Sequence, residues 1–255
     1  MIKRIYYELL DMITLRKGLR RSFNGHSIQM PVRFYKYFPA DYEAENLLLI
    51  DKYIEPGMHV VDVGAHIGLM SVIFAHKTGV KGKVYAFEPT PSSFELLQKT
   101  IALNHSNSII RPENAALGEQ SGETSFFISE HRADNSNSLV DNNRQDRLEQ
   151  RIRVKLYSID DYVNQEKIEK IDFIKIDAEG AELSVLRGAL KTLQRFQPNM
   201  ILALHPEGIR NFGHNLEDIW DFITGRGYKI LFRLKEMAKQ DFTSRAGFFD
   251  VFITS

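Results

Sequence analysis

Three apolar runs in this 255-residue chain carry acids at or near their ends, each beside a glycine or a proline. The first is Val60 to Gly68, Val-Val-Asp-Val-Gly-Ala-His-Ile-Gly. Gly64 supplies turned dihedrals without a Cβ clash, and Gly68 lets the next helix start close to whatever sits in the turn. The spacing is Gly-x-x-x-Gly preceded by Asp62. A dinucleotide site favours Gly-x-Gly-x-x-Gly, in which the second glycine makes room for a pyrophosphate. His66 occupies that place, so the turn fits an amino-acid tail beside a ribose better than a pyrophosphate. The second run, Lys83 to Phe87, ends in Glu88-Pro89. An acid at that strand end accepts both hydroxyls of a ribose, and Pro89 stops the strand.

The third run is Ile171 to Ile176, followed by Asp177-Ala178-Glu179-Gly180-Ala181-Glu182. Ligands of open α/β sheets bind outside the carboxyl ends of the strands, which is where these acids stand. Acids at a helix N-terminus are also stabilised by ~0.3–1 kcal/mol without any ligand. That accounts for one of the three better than for all. Pro198 to Leu204 forms the following strand, and His205-Pro206-Glu207-Gly208 leaves its end. His205 reads as a turn residue or as the base that takes a proton from a hydroxyl, since imidazole titrates near neutrality. Asp177, His205 and Glu207 also make an oxygen and nitrogen set for a hard divalent ion. No dense ligand motif accompanies them, and no metal is expected.

The elements that position these residues alternate as a parallel sheet requires. Leu47 to Ile54 reads as an entry helix, and a helix follows the glycine turn. Thr90 caps a helix with Pro91 at its first position and Phe94, Leu97 and Ile101 inward. Ser108 to Asn114 is a third strand, with Ala115-Ala116-Leu117-Gly118 as a small-residue turn suited to a flat base. Thr124 to Ile128 and Arg151 to Tyr157 are strand-like, and the polar stretch 129–150 between them is either a lid or a passive insertion. Val185, Leu186, Ala189, Leu190 and Leu193 form an inward helical stripe. Asn215 caps the helix carrying Leu216, Ile219, Trp220 and Ile223. Tyr228 to Phe232 and Phe248 to Ile253 complete the sheet, the last as an antiparallel edge strand. The fold class expected is α/β, a doubly wound, mostly parallel sheet, with residues 1–40 as a basic extension and 41–255 as the main domain.

Composition narrows the partners. Lysine plus arginine number 33, equal to aspartate plus glutamate, so no global field attracts nucleic acid. Cysteine is absent, which excludes disulfides, thiolate metal sites and cysteine nucleophiles. Glu8 and Asp11 interrupt the first apolar stretch, and a cytoplasmic protein is expected. Local charge is less even: Lys3, Arg4, Arg16, Lys17, Arg20, Arg21, Arg33 and Lys36 face only Glu8 and Asp11. Ile2, Ile5, Tyr6, Leu9 and Ile13 fall at helical spacing. Such a helix either lies on a membrane surface or beside a lipid-linked substrate, or it packs on its own domain.

Taken together, VVDVGAHIG, AFEP, NAALG and IDFIKIDAEGAELSVLRGA resemble the FkbM-type S-adenosylmethionine-dependent methyltransferases, over about residues 40 to 205. Ser158-Ile159-Asp160-Asp161-Tyr162 resembles a further family stretch. The resemblance implies a seven-stranded class I methyltransferase fold and methylation of a hydroxyl on a sugar, polyketide or related small molecule. It implies that Asp62, Gly64, Ala65, His66 and Gly68 hold the methionine portion of the cofactor, Glu88 the ribose, and Asn114, Ala115 and Ala116 the adenine side. Glu45 resembles the acidic entry segment near the cofactor. Asp177, with Glu179 or His205, would orient or deprotonate the acceptor. This sequence departs from the family at His66, where asparagine is common, and at Leu202-Ala203-Leu204-His205, which lacks a glutamate often seen late in that strand. A nicotinamide oxidoreductase and a catalytically idle glycan-binding scaffold are the alternatives.

Overall fold

The computed structural model describes residues 17–35, 37–129 and 149–255. The expected basic helix at the N-terminus and most of the 129–150 stretch lie outside the described residues.

The first described elements form a hairpin, β1 (Leu19–Phe23) and β2 (His26–Met30), joined at Asn24 and Gly25, both with positive φ. Asn-Gly is the pair that such a tight turn selects. This hairpin is part of the core: Phe23, Ile28 and Met30 are fully buried. Helix α1 (Ala44–Tyr53) leads into the central sheet. There β3 (His59–Val63), α2 (Leu69–Thr78), β4 (Lys83–Phe87), α3 (Pro91–Leu103) and β5 (Ile110–Glu113) alternate in the right order for parallel pairing.

Next comes a small sheet of β6 (Ala115–Leu117), β7 (Gly122–Ser129) and β8 (Glu149–Tyr157). The expected turn at Ala115-Ala116-Leu117 is therefore a strand, because β8 runs parallel to it and satisfies its backbone. Helix α4 (Ile159–Gln165), β9 (Phe173–Asp177), α5 (Glu182–Arg187), α6 (Leu190–Phe196) and β10 (Asn199–Leu204) follow. The chain ends with α7 (Pro206–Asn211), α8 (Leu216–Thr224), β11 (Lys229–Phe232), β12 (Lys235–Glu236), α9 (Lys239–Thr243) and β13 (Phe249–Thr254).

The main sheet has the order β12-β11-β13-β10-β9-β3-β4-β5. Pairings from β10 to β5 are parallel, and β13 is antiparallel to both its neighbours. The structure thus corrects the expected edge position of β13. The strand is inserted between β10 and β11, where Phe249, Val251, Phe252 and Ile253 are all buried. The two-residue β12 adds an eighth strand to the expected seven.

Side chains alternate across this sheet, so each strand feeds two apolar layers. Val61, Val63, Ile174 and Ile176 pack with Leu183, Leu193 and Ile219 on one face. Val60, Phe173 and Ile201 pack with Leu47, Ile50, Val72, Leu97 and the β1–β2 hairpin on the other. The helix ends are held as the sequence predicts at Asn215, which forms a reciprocal capping box with Asp218. Asn215→Ala is expected to lower stability by about 1 kcal/mol, read as a lower urea midpoint at unchanged slope. Thr90 differs: its side chain makes no cap bond to α3, and its backbone N–H instead donates to Glu88 Oε1 at 2.9 Å.

Candidate functional site

The carboxyl ends of β3, β4, β9 and β10 open on one edge of the sheet. A cleft there is lined by Asp62, Gly64, Ala65, His66, Glu88, Ala115, Ala116, Asp177 and Glu179 among others. Two glycine contacts set its shape. Gly64, at φ +75°, sits so close to Asp177 that a Cβ would enter the Asp177 carbonyl oxygen. Gly180 and Gly208 meet backbone to backbone, and a Cβ on Gly180 would stand 2.5 Å from the Gly208 carbonyl carbon. The turn after β3 is thereby pressed against the end of β9, and the β9 loop against the chain leaving β10.

At the β3–β4 end, Gly64 and Ala65 N–H groups both donate to the Phe87 carbonyl, at 3.0 and 2.9 Å. Glu88 is 6% exposed, and its two carboxylate oxygens accept the backbone N–H groups of His66 and Thr90, each at 2.9 Å. Burial pushes Glu88 up to about 7, against those hydrogen bonds, which favour the ionised form. Asp62 is fully buried; Ser71 donates to its Oδ2 at 2.5 Å, and its Oδ1 has no partner among the described residues. Burial raises its pKa. A buried, unpartnered carboxylate oxygen in a cleft is a ready receptor for a cationic group. His66 has a left-handed φ of 49° and lies near the Phe34 and Phe38 rings. Burial lowers its pKa to about 4, so at neutral pH it is an uncharged hydrogen-bonding group.

At the β9–β10 end, Asp177 Oδ2 accepts from the Lys175 ammonium at 3.0 Å, although Lys175 is only 3% exposed and lies within an apolar strand. Burial alone would raise the Asp177 pKa, but the Lys175 and His205 charges hold it below the ordinary carboxylate range. His205 Nδ1 is 2.9 Å from Oε1 of the fully buried Glu182. Its Nε2 faces Glu179 Oε2 at 3.6 Å and Asp177 Oδ1 at 3.8 Å. Burial alone would lower the His205 pKa, but the Glu182 hydrogen bond and the charges of Glu179, Glu182 and Asp177 push it up to about 9. The three carboxylates favour the charged imidazole, and a charged His205 has no ring lone pair with which to take a proton from a hydroxyl.

Several expected residues stand elsewhere. Glu45 is exposed and pairs with Arg233 Nη2 at 3.0 Å, outside the cleft lining. Two residues earlier Glu43 faces inward, bonded to Asn46, which also donates to Asp250 Oδ2 at 2.9 Å. Gly68 begins α2 at φ +85° and makes room for Leu97 rather than lining the cleft. Asn114 is exposed, and its amide ties down the Glu88 and Pro89 carbonyls at 2.8 and 3.1 Å. Glu207 is exposed; Glu179 takes the place assigned to it beside Asp177 and His205. Sequence reasoning missed Lys175, and it placed Glu182 in the acid cluster without its bond to His205. Lys175 had a signal, a lysine inside a run that must be buried on both faces.

A family model described as the methyltransferase FkbM domain matches residues 62–230. The methyltransferase sdnD of Sordaria araneosa is 28% identical over 59% of this chain and 68% of its own length. The hexuronic acid methyltransferase AglP of Haloferax volcanii is 30% identical over 73% of this chain and 76% of its own length. The solved methyltransferase FkbM of Methylobacillus flagellatus KT aligns with 77% of this chain at TM-score 0.48 and 19% identity; the chain spans 43% of that protein.

Proposed function

Given that this chain belongs to the methyltransferase FkbM family, we propose that it transfers the methyl group of S-adenosylmethionine to a hydroxyl of a sugar, glycan or related small molecule. Methyltransferase activity with S-adenosylmethionine as cofactor is common ground with its relatives. The family assignment displaces the nicotinamide oxidoreductase alternative.

The observation that carries this reading is the order of carboxylates and small residues along one cleft, from Asp62 and Glu88 to Asp177 and Glu179. Asp62, with its unpartnered Oδ1, suits the methionine ammonium, and Glu88 suits the ribose diol. The uncharged His66 between them adds a hydrogen bond without a repulsive charge toward the ammonium. Ala115 and Ala116 are buried and small, as a flat purine requires. Past the methionine end, Asp177 and Glu179 present carboxylates to an acceptor. A sulfonium is an activated donor, so the main task is to align acceptor oxygen, methyl carbon and sulfur. Asp177, kept ionised by Lys175, accepts the hydrogen bond of the incoming hydroxyl and points its oxygen at the methyl. The hydroxyl proton leaves toward Asp177 or Glu179 as the new C–O bond forms, and the sulfonium becomes a neutral thioether.

Two observations favour a sugar. One relative of similar length is named for a hexuronic acid substrate. Phe248, 60% exposed, places its ring 5.0 Å from the His205 imidazole, a flat apolar plate at the acceptor end. Phe248→Ala is expected to raise the acceptor KM by about 2–10-fold with S-adenosylmethionine affinity unchanged, the scale of one aromatic contact. The direct test is labelled S-adenosylmethionine offered with uronic-acid oligosaccharides, neutral oligosaccharides and small polyols. Label in none of them, with binding of the cofactor intact, would overturn the sugar assignment.

A peripheral membrane contact is a separate proposal, resting on the basic, amphipathic opening of the sequence. Among the described residues no helix is long and apolar enough to cross a membrane.

A further inference from the structure

We propose that Asp177, Glu179 and His205 form a binding site for a hard divalent cation at the acceptor end of the cleft. One ligand atom from each of the three lies within 4.8 Å of the others. The spacing is wrong for direct hydrogen bonds and close to right for a shared ion. His205 Nε2 stands 3.6 Å from Glu179 Oε2 and 3.8 Å from Asp177 Oδ1, both beyond hydrogen-bond length. Two ligand atoms held at about 2.1–2.2 Å from one ion stand roughly 3.0–3.6 Å apart. The His205–Glu179 separation stands at the upper end of that range, and the His205–Asp177 separation of 3.8 Å lies just beyond it.

The surroundings of these three groups point the same way, through residues that are not ligands. Glu182, fully buried, holds His205 Nδ1 and so turns Nε2 toward the two carboxylates. A carboxylate behind a histidine is the usual way of fixing the ring and tautomer for metal binding. Glu182 also accepts the Gly180 N–H, yet its Oε2 is buried with no hydrogen-bond partner among the described residues. Lys175 occupies Asp177 Oδ2, which leaves Oδ1 as the oxygen facing His205. The carboxylates of Asp177, Glu179 and Glu182 all lie around His205, and a dication bound there adds positive charge among them.

One nitrogen and two carboxylate oxygens suit Mg²⁺ or Mn²⁺, with the remaining positions open to water or to acceptor oxygens. The role of the ion rests on the methyl-transfer reading above; its binding does not. With the cation bound, Asp177 and Glu179 act as its ligands in place of receiving the proton: an acceptor hydroxyl on the cation would lose its proton more readily, and the proton would pass to water. The oxygen then forms the bond to the methyl carbon, and the carbon–sulfur pair returns to sulfur. A sugar that chelates through two neighbouring oxygens, a diol or a hydroxyl beside a carboxylate, would be selected over a simple alcohol.

Mn²⁺ titration of the full chain, followed by electron paramagnetic resonance, tests the site without any acceptor. The expected result is one Mn²⁺ per chain, displaced by Mg²⁺. The affinity should be at least about tenfold weaker in Asp177→Asn and His205→Gln, and unchanged in Glu207→Gln. Melting temperature and S-adenosylmethionine affinity establish that each variant is folded, and either of the first two variants suffices. Absence of stoichiometric Mn²⁺ from the wild-type chain, or binding undiminished in a folded Asp177 or His205 variant, overturns the site. Labelled transfer that continues in excess chelator overturns the catalytic role of the ion and leaves methyl transfer standing. Loss of S-adenosylmethionine binding in metal-free wild-type protein is not expected, because Asp62 and Glu88 hold the cofactor.

Discussion

Asp177→Asn is expected to lower kcat by roughly 10²–10⁴-fold, the contribution of a positioned group that accepts or directs a proton. The change is nearly isosteric, so the Gly64 approach to the Asp177 backbone is kept. What is lost is the negative charge that faces Lys175, His205 and the acceptor. Because Lys175 is buried and its ammonium bonds to Asp177 Oδ2, part of the loss is that ammonium left with a weaker partner. S-adenosylmethionine affinity is expected to stay within about threefold, since the ribose and ammonium contacts lie at the β3–β4 end. Steady-state kinetics with cofactor binding measured separately check both halves. A kcat within threefold of wild type would remove Asp177 from the transfer step, whatever the acceptor.

Glu88→Gln should weaken S-adenosylmethionine binding by about 1.5–3 kcal/mol, the range for hydrogen bonds to a charged group. Glu88 accepts the His66 and Thr90 backbone N–H groups and a hydrogen bond from the Thr90 side chain, and of its roughly four lone-pair sites that leaves room for a ribose hydroxyl. Glutamine keeps the shape and gives up the charge. A pH signature accompanies the loss. With Glu88 at about 7 in the free protein, ribose hydroxyls that donate to the carboxylate favour its ionised form. Cofactor affinity is therefore fullest above pH 7 and falls as pH drops through it, by up to about tenfold per unit. In Glu88→Gln that dependence flattens, which isolates Glu88 from Asp250, raised to about 6 mainly by burial.

The stability of the free protein runs in the opposite sense. A folded pKa raised above the ordinary glutamate value of 4.5 favours the protonated native state. The contribution is present below 4.5 and is lost as pH rises through 7. Isothermal titration across pH 5.5 to 8 in wild type and variant decides the matter; equal affinities in the two proteins at pH 8 would refute the ribose assignment.

The two ends of the cleft were unequally visible in the sequence. Val60 to Gly68, Glu88 and Asp177 to Glu182 are local signals: apolar runs of strand length, glycines at required turns, acids where a strand stops. The fold follows from the same alternation, and the family match over residues 62–230 accords with it. Asn24-Gly25 is equally local, a hairpin turn legible from two residues. Glu45 pairs with Arg233 outside the cleft, and Tyr42, three residues earlier, lines it. A residue's inward or outward direction at a helix start depends on the entry angle, and here Glu43 takes a left-handed φ of 55° before α1 begins.

Sequence by itself determined the alternation of strand and helix, the edge of the sheet where ligands gather, and the acids at β3, β4 and β9. Periodicity and turn chemistry operate over a few residues, and they are written in order along the chain. Tertiary structure alone decided the charge state of those acids and of His205. Lys175 reaches Asp177 within one strand, but Glu182 meets His205 across 23 positions, and Asn46 meets Asp250 across 204. A proton's free energy on any one of these groups is set by burial and by charges a few ångströms away, brought there by sheet order. The insertion of β13 and the contact of Gly180 with Gly208 belong to that arrangement. So does the ring of three carboxylates that favours the charged form of a histidine whose sequence position reads as that of a base.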